Sequence, residues 1–585
     1  MDARMLELYD LWLEKAVDDP DLAGELADIS GDEAAITDRF YCELTFGTAG
    51  LRGVIGAGAN RMNVYTVRRA TQGLADYLNA GTAAKAAAIS YDSRHKSALF
   101  AREAARVLAA NGITVYLTDA LYPTPVLSFA VRHYRCGAGI MITASHNPAA
   151  YNGYKCYGAD GCQMTDQAAG AVTACIEKLN VFADIRLIDF DRAVAGGQIR
   201  MVGEELLEPY LAAVMATQID PDICKNQPLS VIYTPLNGTG NLPVRRVLAA
   251  AGVTDLTVVP EQEAPDGDFP TCPYPNPETR QVFEKGLELA QTIQPDLLLA
   301  TDPDADRVGV AVPRTAAVPG DGGYELIGGN EAGALMLWYI LSRRTEKNAK
   351  KTLPDRPVMV KTIVTTELAR RIAAHFGCET VEVLTGFKYI GEQILQLETA
   401  GEAERFVFGY EESYGYLAGS YVRDKDAVSA CLLICEMAAY YKSKGKSLLG
   451  VLEELYAKFG YYRQSVVNKT FEGAEGMAAM DRLMTRLRTR LREQMPAEIA
   501  GYRITGYYDY QTSEHTDLET GAKTALTLPQ SNVLRYILGG GQLIIRPSGT
   551  EPKIKAYVTA VGKNAAEAEE LTVKLSAAAE GILSE

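Results

Sequence analysis

The sequence offers little for a metal site built from cysteine and histidine. Its 585 residues include only five histidines, and its ten cysteines are scattered without close CxxC pairs. Cys431 and Cys435 lie about one helical turn apart, but inside an apolar helix pattern over residues 427–441. We interpret the cysteines as buried thiols in a reducing compartment rather than as zinc ligands or disulfides.

Long apolar runs and an excess of basic residues are also absent. No apolar run reaches about 18 residues, so no membrane-spanning helix is expected. No basic start leads into an apolar segment, so no signal peptide is expected. The formal net charge of −16 argues against non-specific binding of nucleic acid or of anionic membranes. We therefore expect a cytoplasmic protein without nucleic-acid or membrane partners, and the sequence predicts no particular oligomeric state.

The glycine-rich stretches match no nucleotide-binding pattern. There is no G-x-x-x-x-G-K-[ST], and no G-x-G-x-x-G opens a helix after a strand. ATP and NAD are therefore not indicated as cofactors. A G-x-S-x-G nucleophile elbow is also absent, which argues against an α/β-hydrolase.

Alternating strand and helix patterns predict an α/β protein. A helical lead runs to about Thr37, and a helix at 98–111 separates predicted strands at 87–91 and 114–117. The same alternation continues, so we expect three related mixed or parallel α/β domains. Further strands are predicted at 229–233, 256–259, 297–301, 358–361, 380–383 and 405–409. The end of the chain has a charged helix at 477–494, a strand-like stretch at 533–545 and a terminal helix at 565–582, which predicts a small α+β domain. The predicted domains are 1–195, 196–315, 316–460 and 461–585.

A serine follows the apolar run 136–142, which predicts a buried strand. The sequence there is Thr-Ala-Ser145-His146-Asn-Pro148. In open α/β sheets, ligand sites lie at the carboxyl ends of the strands. A turn serine alone predicts only a local hydrogen bond, but Lys155 follows closely and is a candidate for carrying a proton. Neighbouring side chains on a strand or turn generally point apart, so His146 need not be the base for Ser145.

Three aspartates follow a second predicted strand, at 297–301. They alternate in Asp302-Pro-Asp304-Ala-Asp306-Arg307. The spacing does not fit an EF-hand, because arginine stands at the glycine position of that loop. Three carboxylates suit a hard cation such as Mg²⁺, and the arginine suits a phosphate oxygen. Together with Ser145, this pattern indicates phosphoryl transfer.

Two more segments follow predicted strands. Arg546-Pro-Ser548-Gly549-Thr550 offers a guanidinium, two hydroxyls and glycine backbone to a dianionic phosphate. Glu411-Glu-Ser413 offers a carboxylate and a hydroxyl to sugar hydroxyl groups. Each segment alone is also compatible with an ordinary turn.

Taken together, these segments resemble the α-D-phosphohexomutase family. The similar segments run in order from Phe46 to Thr550 and cover most of the chain. They are Phe46-Gly-Thr-Ala-Gly-Leu-Arg52-Gly, Thr-Ala-Ser145-His-Asn-Pro, Asp302-Pro-Asp-Ala-Asp-Arg307, Thr385-Gly-Phe-Lys388, Glu411-Glu-Ser413, Arg423-Asp-Lys425-Asp and Arg546-Pro-Ser-Gly-Thr.

The resemblance implies a fold, an activity and a metal. The fold is four domains around a central cleft, and the activity is a reversible transfer of phosphate between the two ends of a sugar phosphate. Ser145 would carry a phosphate at rest, and Mg²⁺ would be held by Asp302, Asp304, Asp306 and a phosphoserine oxygen. A sugar bisphosphate, glucose 1,6-bisphosphate for glucose, would be both intermediate and activator.

The resemblance also implies roles for the other site residues. Catalytic roles fall on His146 and Lys155 as candidates for proton transfer, and on Arg52 and Arg307. Substrate binding falls on Lys388, Glu411, Ser413, Arg423, Lys425, Arg546, Ser548, Gly549 and Thr550.

The first hypothesis is interconversion of α-D-glucose 1-phosphate and glucose 6-phosphate, because Glu411-Glu-Ser413 resembles the sugar loop of glucose-type members. The chain length and the segment Tyr151-Asn-Gly-Tyr-Lys155 also resemble a long subgroup that contains mutases for hexose and for pentose phosphates, so a mutase for ribose or deoxyribose 1-phosphate is an alternative. Tyr410, Tyr414 and Lys388 differ from the residues of some relatives, which leaves the sugar open. A synthase that releases sugar bisphosphate is another alternative. A non-catalytic regulator that binds sugar phosphates is the alternative from a different class, and the presence of Ser145 argues against it.

Overall fold

The computed structural model describes residues 3–47, 50–81, 83–314, 323–471, 473–493, 496–548 and 553–584. The chain divides into two compact units. The first contains Met1–Val360 and Phe387–Ser447, and the second contains Lys361–Gly386 and Leu448–Glu585. Within the described ranges, no helix has both the length and the apolar character needed to span a membrane.

The predicted helical lead is present as three helices packed on the first sheet region. They are α1 (Ala3–Lys15), α2 (Pro20–Asp28) and α3 (Glu33–Phe40). Asp19 and Asp32 cap α2 and α3 by accepting backbone N–H groups. Trp12 is almost fully buried and makes edge contacts with the rings of Phe40 and Phe182. The apolar stripe of α1 therefore contributes to the core of the first sheet region.

The first sheet has the strand order β1-β5-β4-β2-β3-β6. Strands β2, β3, β4 and β6 are parallel to their neighbours within that group, and β5 and β1 join antiparallel. Its elements are β1 (Leu51–Val54), α4 (Val64–Ala80), β2 (Ala86–Tyr91), α5 (Ser97–Ala110), β3 (Thr114–Thr118), α6 (Thr124–His133), β4 (Ala138–Ile142), β5 (Tyr151–Gly158), α7 (Asp166–Ile176), α8 (Phe190–Ala195) and β6 (Ile199–Val202). Every residue of β4 is buried, as expected for a central strand with helices on both faces.

The second sheet has the order β11-β10-β9-β7-β8. Strands β8, β7 and β9 are parallel, and β10 and β11 join antiparallel. Its elements are α9 (Glu204–Met215), α10 (Ile223–Asn226), β7 (Ser230–Thr234), α11 (Asn241–Ala251), β8 (Asp255–Val258), α12 (Pro260–Glu263), a 3₁₀ turn (Arg280–Phe283), α13 (Glu284–Ile293), β9 (Leu297–Thr301), β10 (Val308–Pro313) and β11 (Tyr324–Ile327).

A third group of elements is divided between the two units. It comprises α14 (Gly329–Arg344), β12 (Val358–Thr362), α15 (Glu367–His375), β13 (Glu379–Val383), α16 (Phe387–Thr399), a 3₁₀ turn (Ala403–Arg405), β14 (Phe406–Glu411), β15 (Gly415–Leu417) and α17 (Ala427–Ser443). In the first unit, β14 and β15 form an antiparallel hairpin. Helix α17 is buried on nearly all sides, and Cys431 and Cys435 are free buried thiols, as predicted.

The second unit contains a mostly antiparallel α+β region. Its elements are α18 (Leu448–Phe459), β16 (Tyr461–Thr470), α19 (Gly473–Glu493), β17 (Glu498–Ile499), β18 (Tyr502–Asp509), β19 (Glu514–Asp517), β20 (Lys523–Ala525), β21 (Leu534–Leu538), β22 (Gly541–Pro547), β23 (Lys553–Gly562) and α20 (Ala565–Ser584). The sheet order is β16-β23-β22-β21-β18-β19-β20, and β17 pairs with β18. Helices α19 and α20 cover the core of this sheet.

The sequence predicted the α/β class and the central strands correctly. The predicted strand 297–301 has the bounds of β9, and the other predicted strands agree with the structure to within a few residues. The strand-like stretch 533–545 is a hairpin of β21 and β22, because Gly539 and Gly540 form its turn. Strand β6 pairs with β3, so the first sheet continues to Val202, beyond the predicted domain limit at 195.

Candidate active site

Ser145 lies just beyond β4, in a backbone conformation unusual for serine. Its φ is +52°, in the left-handed region, and its residue is 3 % exposed. Its N–H donates to Thr143 Oγ1 at 2.8 Å, and its own Oγ donates to Asp302 Oδ2 at 2.9 Å. The serine predicted at the end of one sheet therefore contacts the first aspartate predicted at the end of another.

His146 points towards Ser145 and not away from it. Its Nδ1 lies 3.2 Å from Ser145 Oγ. The expectation that the two neighbouring side chains point apart is wrong, because the left-handed φ of Ser145 breaks the alternation of an extended strand. Burial, followed by the positive charges of Arg307 and Arg52, lowers the pKa of His146 well below 6.5. The imidazole is therefore neutral at pH 7.

The three aspartates lie in the turn between β9 and β10. Asp302 Oδ1 accepts the N–H groups of Asp306 at 3.1 Å and Arg307 at 3.0 Å, which closes the turn. Ala305, at its tip, has a φ of +48°. One oxygen from each of the three carboxylates lies within 4.8 Å of the others, and all three side chains are buried.

Two oxygens of this cluster have no hydrogen-bond partner among the described residues. They are Asp304 Oδ1 and Asp306 Oδ1, both buried. A buried carboxylate oxygen without a donor is costly, and a hard divalent cation with oxygen ligands removes that cost. The donor set and its unpartnered oxygens thus fit a metal site.

Three cations surround the aspartates. Lys155 Nζ lies 2.7 Å from Asp304 Oδ2 and 3.4 Å from Asp306 Oδ2. Lys425 Nζ lies 3.2 Å from Asp306 Oδ2, and Arg307 Nε lies 3.6 Å from Asp306 Oδ1. Three carboxylates therefore face two ammonium groups and one guanidinium group. Lys425 also pairs with Asp424 at 3.0 Å and Arg307 with Glu278 at 3.0 Å, so acidic side chains outnumber cationic ones around the cluster.

The ionisation of the aspartates reflects this arrangement. Burial and then the charges of Asp306 and Asp304 raise the pKa of Asp302 well above 3.8. Burial would also raise the pKa of Asp306, but the charges of Lys425, Lys155 and Arg307 outweigh it and hold that pKa below 3.8. For Lys155 and Lys425, burial opposes the charged form, but the neighbouring carboxylates raise the pKa of each above 10.5.

The predicted sugar loop lies at the tip of the β14–β15 hairpin. Glu411 is buried, and its charge acts on Arg307 and Lys425. Ser413 is half-buried, and the next residue, Tyr414, has a φ of +66°. The hairpin thus carries a carboxylate close to the cations that neutralise the aspartates.

Other predicted residues of the first unit make protein contacts. Lys388 forms an ion pair with Asp166, and Arg52 donates to Asn147 Oδ1 at 3.4 Å. Arg423 is fully buried, and its guanidinium donates to Glu398 Oε2 at 2.7 Å. The contact with Glu398 holds Arg423 in place, and its role in substrate binding stays a prediction.

The predicted phosphate loop belongs to the second unit. Arg546 is half-buried near the end of β22, and the Ser548 N–H donates to Lys553 O at 2.6 Å. Gly549 and Thr550 lie outside the described residues.

Two groups that support this site were not predicted from the sequence. Asp92 and Arg94 follow β2, the strand next to β4, and both side chains are fully buried. Thr124, after β3, donates from Oγ1 to Asp304 Oδ2 at 2.8 Å. The signal that identified Ser145, a polar residue at the carboxyl end of a parallel strand, was present for both groups.

The sequence of the chain matches the models of one protein family. The models of the phosphoglucomutase/phosphomannomutase family match in four consecutive parts: α/β/α domain I at 43–181, domain II at 208–315, domain III at 328–459 and the C-terminal domain at 490–577. The chain belongs to this family and is an isomerase that transfers a phosphoryl group within its substrate.

Individual proteins similar to this chain carry a more specific name than the family does. One named phosphoglucomutase, from Staphylococcus epidermidis, is 39% identical over 519 residues, covering 88% of this chain and 90% of its own length. Another of that name, from Staphylococcus aureus, is 37% identical over 558 residues, covering 95% of this chain and 96% of its own.

Solved structures share the fold. A Thermus thermophilus structure named as a putative phosphomannomutase has a TM-score of 0.67 at 22% identity. The match covers 93% of this chain and 100% of that chain. Parafusin, a phosphoglucomutase of Paramecium in an open form, has a TM-score of 0.65 at 19% identity and covers 92% of this chain and 96% of its own.

Proposed function

We propose that this chain is a phosphoglucomutase that interconverts α-D-glucose 1-phosphate and glucose 6-phosphate. The observation that carries the proposal is the contact between Ser145 Oγ and Asp302 Oδ2, at 2.9 Å. It brings a buried hydroxyl nucleophile to a cluster of carboxylates that fits a divalent cation. The name shared by the curated relatives supports glucose as the sugar.

Asp302, Asp304 and Asp306 are the residues that would hold the metal, which we propose to be Mg²⁺. Two carboxylate oxygens of these residues, Asp304 Oδ1 and Asp306 Oδ1, have no hydrogen-bond partner among the described residues and are available as ligands. When bound, the cation supplies neutralising charge for the phosphoryl oxygens.

The first half of the proposed reaction begins with phosphate on Ser145. The C6 hydroxyl of glucose 1-phosphate attacks the phosphorus and gives up its proton, and the bond between phosphorus and Ser145 Oγ breaks as that oxygen takes up a proton. The products are glucose 1,6-bisphosphate and the free serine. Lys155 and Arg307 lie beside the aspartates, where they stabilise the charge on the phosphoryl oxygens.

The second half returns a phosphate to the serine. Ser145 Oγ attacks the phosphorus on C1, and the bond to the sugar breaks to release glucose 6-phosphate. His146 Nδ1, at 3.2 Å, is the described imidazole nitrogen placed to accept the proton of the hydroxyl. Lys155 is the second candidate for proton transfer, and its contacts with Asp304 and Asp306 favour an electrostatic role.

Between the two halves, the bisphosphate must present its other end to Ser145. Glu411 and Ser413 are assigned to the sugar hydroxyls in both orientations. Lys388, Arg423, Lys425, Arg52 and the segment Arg546, Ser548, Gly549 and Thr550 are assigned to anionic groups of the substrate. We also propose the four domains predicted from the sequence, with the first extended to include β6. The cytoplasmic location stays a prediction.

Initial rates with three sugar phosphates test the proposed activity. Glucose 1-phosphate, ribose 1-phosphate and mannose 1-phosphate are compared in Mg²⁺ with a trace of glucose 1,6-bisphosphate. We expect a clear preference for glucose 1-phosphate. A preference for ribose 1-phosphate would replace the hexose by a pentose, and net release of bisphosphate would indicate a synthase. No turnover of any of the three would contradict an enzymatic role.

A further inference from the structure

Arg94 lies behind the loop that carries Ser145 and has no predicted role in substrate binding. Its side chain is 0 % exposed, and it follows β2 in the sequence Asp92-Ser-Arg94. We propose that Arg94 is a positioning residue that fixes the Ser145 loop for phosphoryl transfer. The inference rests on the proposed function, because it concerns the step in which Ser145 is phosphorylated.

The guanidinium of Arg94 binds the backbone of this loop at four carbonyl groups. Nη1 donates to the carbonyl oxygens of Pro148 at 2.9 Å and Tyr151 at 3.1 Å. Nη2 donates to the carbonyl oxygens of Ser145 at 2.5 Å and Asn147. One rigid, planar group thus spans the loop from the nucleophile to the start of β5.

The guanidinium is itself held in place. Asp92 Oδ2 lies 3.3 Å from Arg94 Nε, and Asp92 Oδ1 accepts the Arg94 N–H at 3.0 Å and the Ser97 hydroxyl at 2.8 Å. On another side, the guanidinium carbon lies 5.0 Å from the ring centroid of Phe269, which belongs to the second sheet region. The loop is therefore anchored to groups whose own positions are fixed.

This anchoring matters because Ser145 has a strained backbone. A left-handed φ of +52° costs free energy in a residue with a Cβ, and it persists only where the surroundings hold it. The same φ directs Oγ to Asp302 and His146. Without the four carbonyl contacts, the loop has fewer constraints on this conformation, and Oγ spends less time in the reactive position.

The test measures phosphorylation of Ser145 directly. Wild type and the variants Arg94→Gln and Arg94→Lys, each first freed of phosphate, are mixed with glucose 1,6-bisphosphate and Mg²⁺ and quenched. Phosphoserine is then quantified by intact mass against time. Arg102→Gln is the matched control, because Arg102 lies on α5 in the same sheet region, is half-exposed and pairs with Asp191 at 3.6 Å.

We expect the rate of transfer to fall about 100-fold in Arg94→Gln, the effect of misplacing a reacting group by about 1 Å. In Arg94→Lys we expect a fall of about 10-fold, because a single ammonium cannot span the four carbonyl groups. The KM for glucose 1-phosphate should stay within about threefold of wild type in both variants, and Arg102→Gln should match wild type in rate. In a further variant, Arg94→Ala, added methylguanidinium should restore part of the rate of transfer. The same addition should leave the rate of the control, Arg102→Gln, unchanged.

The outcomes separate this inference from the proposed function. If the wild type takes no phosphate from the bisphosphate, the proposed function fails. If the wild type is phosphorylated and Arg94→Lys reacts within twofold of its rate, Arg94 does not position the loop. A fall in rate with an equal rise in KM and no rescue by methylguanidinium would also overturn the inference, because it would indicate a general loss of structure.

Discussion

Replacing Thr124 by valine removes one hydroxyl from behind the carboxylate cluster and leaves a side chain of similar shape. Thr124 is fully buried, and its Oγ1 donates to Asp304 Oδ2 at 2.8 Å. A hydrogen bond to a charged group contributes about 1.5–3 kcal/mol. Removing the group that orients a metal ligand typically costs about 10–100-fold in metal affinity or activity.

We therefore expect Thr124→Val to require about 10–100-fold more Mg²⁺ for half-maximal activity, with most of the activity restored at saturating Mg²⁺. The backbone contact between the Thr124 N–H and Asp304 O, at 2.9 Å, remains and keeps the turn in place. The assay is initial rate against free Mg²⁺, supported by titration calorimetry of the metal alone.

Thr118→Val is the matched control. Thr118 is a buried threonine at the end of β3, the strand before α6, and its hydroxyl has no hydrogen-bond partner among the described residues. Its replacement should leave the Mg²⁺ dependence unchanged. If Thr124→Val also leaves that dependence unchanged, the three aspartates are not the metal ligands, or Asp304 is not oriented by Thr124.

Three further predictions concern separate parts of the chain. Arg546→Ala should raise the KM by about 10–100-fold, equivalent to the 1.5–3 kcal/mol of a charged hydrogen bond, with a smaller effect on kcat; an unchanged KM would place Arg546 outside the site. EDTA should stop turnover and Mg²⁺ should restore it, and full activity in EDTA would contradict a metal-dependent reaction. The third concerns Glu436 of α17, where burial raises the pKa of the carboxyl group to about 7 from 4.5. Because the folded state binds the extra proton, the contribution of Glu436 to the free energy of unfolding should be largest below pH 4.5 and fall by about 3 kcal/mol as the pH rises to 7. Glu436→Gln should remove this part of the pH dependence, measured as the free energy of unfolding in denaturant titrations at pH 5 and 8. The amide oxygen of the glutamine can still accept from Tyr339 and from the Ile219 and Asp220 N–H groups. The same change in unfolding free energy between pH 5 and 8 in both proteins would contradict the raised pKa.

The predictable parts of this protein were those encoded locally. A buried parallel strand is a continuous apolar run, so β4 and β9 were evident from the sequence, and with them the positions of Ser145 and the aspartates. The sequence could not show that the two strand ends meet, because that contact joins residues 157 positions apart in the chain.

The remaining features depend on backbone geometry and distant partners. The left-handed φ of Ser145 turned His146 towards the nucleophile, and no local propensity predicts that conformation for serine. Arg423, predicted to contact substrate, is bound to Glu398 on α16. The position of Arg94 after a parallel strand was a signal available in the sequence, but its four carbonyl partners lie more than 50 positions away and could not be inferred from it.

The most direct test of the phosphoserine reaction is to follow the phosphate. Dephosphorylated protein is incubated with glucose 1,6-bisphosphate labelled in its phosphates and with Mg²⁺, then digested and sequenced by mass spectrometry. We expect the label on Ser145, its transfer to added glucose 1-phosphate, and no label in Ser145→Ala, which should be folded and inactive. Label at another residue, or full turnover by Ser145→Ala, would contradict the account.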